Sequence, residues 1–155
     1  MAIDVKVRPQ RWPSKPVWMR IVREGTVPTS KPMTSPASVW GALKEHGVHL
    51  EEQEVFYVLV LDTQNKVRLA QEVTRGTLNS SLVHPREVFR LAIVHGAAGI
   101  IVAHNHPSGN VTPSLDDKAV TLQLTEAGKL LDIPVYDHLI VGDTQYFSFA
   151  EAELI

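Results

Sequence analysis

The chain has 155 residues, 44 % hydrophobic and 21 % charged, with a formal net charge of −2 and no cysteine. Such numbers suit one globular domain with a real apolar core. They exclude disulfide frameworks, thiolate metal sites and cysteine nucleophiles, and they leave no global charge attraction towards nucleic acid.

In chain order, the start MAIDVKVRPQRW lacks the apolar stretch of a signal peptide, and no run approaches membrane-spanning length. A cytoplasmic protein with no membrane partner is therefore expected. Residues 1–34 read as a basic, proline-rich arm. Six of the ten prolines fall within residues 1–36, and residues 1–38 carry seven Lys/Arg against Asp4 and Glu24, a balance of +5 that leaves −7 for the rest. An arm of this kind docks on its own acidic body or makes a weak contact with an anionic partner such as nucleic acid. A short strand is expected over 17–22. Trp12 and Trp18 can anchor the arm in an apolar groove or stack on bases.

Residues 35–155 read as one domain. Ser35-Pro36 is an N-cap followed by proline at the first helical position, and Gly47 is the matching stop. Val39, Leu43 and Trp40 form that helix's apolar stripe. Residues 54–62, EVFYVLVLD, make a strand too apolar to have a wet face. Asp62-Thr63-Gln64-Asn65 turns the chain, and KVRLAQEV returns as a hairpin partner. RGTLNSS, residues 75–81, is a polar loop. His84-Pro85-Arg86-Glu87 opens a helix that Gly96 ends. GIIVAH, residues 99–104, is a second buried strand, and a long helix is predicted over 115–131. PVYDHLIV, a turn at 142–145 and YFSFA close the chain. The order β-α-β-β-α-β-α-β-β describes an α/β (α+β) domain: a single mixed sheet with helices packed around it.

Chemistry concentrates in VAHNHPSGNVTPSLDDKAV, residues 102–120. Strand residues two apart share a face, so His104 and His106 project together while Asn105 points elsewhere. The Pro107-Ser108-Gly109-Asn110 loop turns sharply, and Asp117 in the first turn of the next helix can reach back. Two imidazoles and one carboxylate form a three-ligand set that leaves a fourth position open, the arrangement of a catalytic zinc. A blander reading is also open: Ser114-x-x-Asp117 is a helix capping box, and the two readings can hold together.

His104-x-His106, seven residues, Ser114, two residues and Asp117 match the JAMM motif of the JAB/MPN metallohydrolases. Together with RGTLNSSLVHPREVFRLAIVHGAAGIIVAHNHPSG, DHLIVG and YFSFAE, the text resembles the RadC family of that superfamily from about residue 35 to the end. The resemblance implies an MPN/JAB-like (cytidine-deaminase-like) fold, one Zn²⁺ held by His104, His106 and Asp117, and Ser114 as stabiliser of the oxyanion. It implies a glutamate at the start of the strand after the first helix as general base, which is Glu54; Glu51 and Glu52 read instead as a solvated linker. The implied activity is hydrolysis of a peptide or isopeptide bond in a protein or peptide substrate. Longer RadC-like chains resemble a helix-hairpin-helix module joined to this domain. Here the basic arm stands in its place, which weakens the implied DNA-repair alternative, a nucleic-acid binder or metal-dependent nuclease. A non-catalytic scaffold is disfavoured because every ligand is kept.

Among the other polar residues, Arg75, Thr77, Asn79 and Ser80 either line a groove or satisfy backbone groups. Arg86 and Glu87 pair near a helix start. Asp137 and His138, adjacent on a strand, face opposite ways, with His138 either fixing a zinc-bound imidazole or hydrogen-bonding in the core. Tyr146, Phe147 and Phe149 read as packing.

Overall fold

The computed structural model describes residues 31–76 and 83–155. The basic arm through residue 30, with its expected strand and both tryptophans, lies outside the described residues, as do Thr77, Asn79 and Ser80. The elements run α1 (Pro36–Glu45), β1 (Val55–Leu61), β2 (Val67–Arg75), α2 (Pro85–Val94), β3 (Gly99–Asn105), α3 (Leu115–Leu131), β4 (Val135–Val141) and β5 (Tyr146–Ser148). They build one five-stranded mixed sheet in the order β2-β1-β3-β4-β5. The β3/β4 pair alone is parallel, because α3 crosses over between those strands; the other three pairs are antiparallel.

The sheet separates two apolar layers. Phe56, Val58 and Val60 of β1 and Ile100 and Val102 of β3 pack against Val88, Phe89 and Ala92 of α2 and Val120 and Leu124 of α3. On the opposite face Val55, Leu59 and Leu61 of β1 and Ile101 and Ala103 of β3 meet Val39 and Leu43 of α1, together with Met33. Central strands covered on both faces have no wet side, which is why β1 and β3 read as unbroken apolar runs. β2, at the sheet edge, alternates between buried and exposed positions only at its start. Among the described residues no helix is long and apolar enough to cross a membrane.

Ser35 caps α1 through a reciprocal bond pair with Ser38, and Gly47, at φ 76°, ends it. Glu51 and Glu52 follow a single 3-10 turn at Val48–Leu50 that the sequence did not announce. Glu51 keeps the partly exposed linker place expected of it and adds an ion pair there: its carboxylate meets Arg75 at 2.6 Å, and Arg75 also holds Glu72 at 2.7 Å. Arg75 is thereby an ion-pair hub between β2 and the approach to β1. Arg86 and Glu87 lie 3.7 Å apart, as expected of a surface pair.

The last turn of α3 closes against its own exit. A Cβ at Gly128 would lie 2.6 Å from the Ile133 carbonyl oxygen and 3.3 Å from Phe89 Cζ. Helix propensity alone makes Gly128→Ala stabilising by about 1 kcal/mol. The backbone approach reverses that sign, since a rigid carbonyl has to move. We expect Gly128→Ala to lower stability by about 1–3 kcal/mol in thermal or urea unfolding; a net gain would show that the α3 exit relaxes freely.

Candidate metal centre

The register of the two central strands assembles the site. β1 pairs antiparallel with β3, with Phe56 opposite His104. Glu54 lies two residues before Phe56 and His106 two residues after His104, so all four share the sheet face that α3 covers. That parity separates Glu54 from Glu51. α3 supplies Asp117 from its first turn. One ligand atom from each of Glu54, His104, His106 and Asp117 falls within 4.8 Å of all the others, a group that could hold a metal ion.

The individual distances divide the four. His104 Nε2 stands 3.0 Å from His106 Nε2 and 3.1 Å from Asp117 Oδ1, and His106 Nε2 is 3.4 Å from Asp117 Oδ2. Glu54 Oε1 is farther off, 3.9 Å from His104 Nε2 and 3.7 Å from His106 Nε2. An ion about 2.0–2.1 Å from tetrahedral donors spaces them about 3.4 Å apart, in the middle of this range. The donor set and its spacing therefore fit a zinc-sized cation, with His104, His106 and Asp117 as the tight group and Glu54 beside the remaining corner.

Each donor is aimed by bonds behind it. His106 Nδ1 lies 2.6 Å from the Asn110 carbonyl, which can only accept, so Nδ1 carries a proton and Nε2 of the neutral ring turns its lone pair inward. The His104 ring is buried, stacks near Phe56 and places Nδ1 2.8 Å from His138 Nε2. Asp117 is fixed by the capping box: Ser114 N–H donates to Oδ2 at 2.7 Å, while the Asp117 N–H donates to Ser114 Oγ at 3.0 Å. The capping-box reading of Ser114-x-x-Asp117 holds, and the same bonds leave Asp117 Oδ1 facing His104 Nε2. Ser114 is exposed at the helix start, and its hydroxyl accepts the capping bond, leaving its own hydrogen for another acceptor.

The charge balance of the centre follows from the same contacts. Burial alone would raise the Asp117 carboxyl, but the His104 and His106 imidazoles against it outweigh that effect and hold the group far below the usual carboxylate range. The neighbouring Asp117 carboxylate, against the opposing effect of burial, raises the His106 imidazole above its ordinary value. Burial drives His138 well down, so it stays neutral.

Two residues that hold the site up gave no motif signal. Asn105 is buried on the opposite face, where Oδ1 accepts from Val55 N–H at 2.8 Å and Nδ2 donates to the Glu51 and Gln53 carbonyls, both at 3.1 Å. It clamps the backbone on both sides of Glu54. Its place between two histidines at a strand end was the only hint. Thr121, four residues after Asp117 on the same helix face, bonds to His138 at 2.6 Å. Asp137 takes no part in the centre: it faces away and binds Ser148 Oγ and the Ala150 N–H, tying β4 to the chain end. Tyr146 packs beside Trp40, Phe149 stacks on His138, and Phe147 meets Phe149 edge-on.

The raised His106 value gives a pH dependence in the metal-free chain. A raised folded value stabilises fully below the unfolded value and is lost as pH rises through the folded one. His106→Gln should therefore cost the metal-free protein more stability at pH 5.5 than at pH 9, measured by urea unfolding in chelator. An equal cost at both would remove the His106–Asp117 pairing from the account.

Comparison with known sequences places this geometry in a family. The model of the RadC-like JAB domain matches residues 33–154. A UPF0758 protein of Trichlorobacter lovleyi is 45 % identical over 127 residues, covering 82 % of this chain and 55 % of that protein. One from Clostridium perfringens is 52 % identical over 103 residues, 66 % of this chain and 45 % of its own length. The UPF0758 protein YeeS of Escherichia coli is 48 % identical over 122 residues, covering 79 % of this chain and 80 % of YeeS. The chain thus spans about half the length of the first two relatives and most of the third. With the match running across nearly all of the described residues, the chain belongs to the RadC-like JAB domain family.

Proposed function

We propose that this chain is a zinc-dependent hydrolase that cleaves a peptide or isopeptide bond in a protein or peptide substrate. The observation that carries the reading is the convergence of His104, His106 and Asp117 with a further carboxylate, Glu54, placed slightly outside them. Three donors suffice to hold the ion, and a second carboxylate beside an open corner is the position of a base.

When bound, zinc supplies Lewis acidity, which makes a water acidic near neutral pH and polarises a carbonyl. Glu54 accepts the proton that the attacking water loses and returns it to the departing amine, so that one water adds across the amide and no net proton is consumed. The Ser114 hydroxyl, whose hydrogen the capping bond leaves unused, donates to the carbonyl oxygen as it gains negative charge. His104, His106 and Asp117 keep their donor atoms fixed throughout, because each is bonded from behind. Asn105 holds the Glu54 backbone in register with them.

The nuclease alternative fits the local charge less well. Phosphodiester chemistry calls for extra cationic side chains around the reacting centre. The centre instead carries two carboxylates, and the nearby Arg75 is already committed to Glu51 and Glu72. A neutral amide carbonyl meets less repulsion there.

Glu54→Gln should keep its zinc and lose about 10²–10⁴-fold of its hydrolytic rate on a quenched peptide library. Full activity in that variant, or equal activity of the wild type in chelator, would contradict the reading.

A further inference from the structure

Behind the centre lies a chain of hydrogen bonds whose directions are fixed by counting donors. The Thr121 hydroxyl has one hydrogen, and it donates that hydrogen to the Asp117 carbonyl at 2.6 Å. At His138 Nδ1, also 2.6 Å away, the same oxygen can only accept. His138 Nδ1 therefore carries the proton. The His138 ring is wholly buried, between Phe149 stacked at 4.8 Å and Phe56 edge-on at 5.5 Å. A neutral ring protonated at Nδ1 has a lone pair at Nε2, which must accept from His104 Nδ1–H at 2.8 Å. The remaining nitrogen of His104, Nε2, is left with its lone pair turned towards His106 and Asp117.

We propose that Thr121 and His138 are positioning residues that hold His104 in the one tautomer able to bind a metal ion through Nε2. The proposal rests on the metal reading above and deepens it: the relay leaves the Asp117 backbone carbonyl, passes through Thr121, His138 and His104, and returns at the Asp117 carboxylate. Asp117 thus places an acceptor oxygen at each end. A side chain two bonds removed from the ion sets the direction of every proton between.

Thr121→Val keeps the shape and removes the acceptor. His138 Nδ1–H then has no partner, and the ring gains by moving its proton to Nε2, where it donates to His104 Nδ1. That change puts the His104 proton on Nε2, in competition with the ion. Thr121→Ser restores the hydroxyl and should restore the tautomer. The test uses the full chain and zinc alone. Zinc affinity is measured by chelator competition, and ring protonation by long-range ¹⁵N–¹H spectra of the zinc-loaded protein.

The expected result is zinc binding about 10–100-fold weaker in Thr121→Val, near wild type in Thr121→Ser, and Nδ1–H on both His104 and His138 in the wild type. A merely structural Thr121 would lower the melting temperature of the metal-free protein and leave zinc affinity and tautomers unchanged, which overturns the proposal. A His138 proton on Nε2 in the wild type overturns it as well, and decides the matter alone should Thr121→Val fail to fold. A wild type that takes up no zinc defeats the metal reading itself, and the relay with it. Wild-type binding matched by Thr121→Val defeats the relay only.

Discussion

Two imidazole nitrogens and two carboxylates, four groups rich in electron density, are held within a few ångströms of one another under α3. Left to themselves they repel. In a partly buried place water cannot screen that repulsion fully, so a positive charge has to stand among them. In the metal-free chain a proton on His106 meets part of the demand, which is why Asp117 raises that ring and is itself held down. A divalent cation meets it more completely, because it satisfies all the donors at once. The rest of the architecture can be understood as the scaffolding that makes so unfavourable a convergence stable.

That scaffolding is distributed over the whole domain. The antiparallel β1/β3 register sets Glu54 against the histidine pair, and the β3-α3-β4 crossover lowers Asp117 onto the same face. Asn105 works from the far side of the sheet, where it fastens the entry to β1. Both apolar layers are packed by the same two central strands, so displacing the donors would mean displacing the core. The arrangement is thus preorganised: little has to move for an ion to enter, and each donor already has its back to a fixed partner.

Much of this was legible in the sequence, and the reasons are physical. α3 ends at Asp132, left-handed at φ 57° two residues before Pro134, and its start is written in Ser114 and Asp117, which cap it. β1 and β3 were visible as apolar runs because both of their faces are covered. Period-two alternation alone puts His104 and His106 together. The role of Asn105 was not legible, since a strand residue facing away from a site gives no sign that it braces the site from behind. The ion pair of Glu51 was not legible, because its partner, Arg75, is distant in sequence and arrives only through β2 pairing. For His138, sequence left two roles open. The structure joins it to both His104 and Thr121, a contact that depends on three separate elements meeting.

The most direct test of the central claim is anomalous diffraction from crystals of the full chain grown with zinc, recorded on both sides of the zinc absorption edge. The account predicts one strong peak per chain, bounded by His104 Nε2, His106 Nε2 and an Asp117 carboxylate oxygen, with Glu54 facing it. A map with no peak there at saturating zinc, or with the ion bound at other residues, would contradict it.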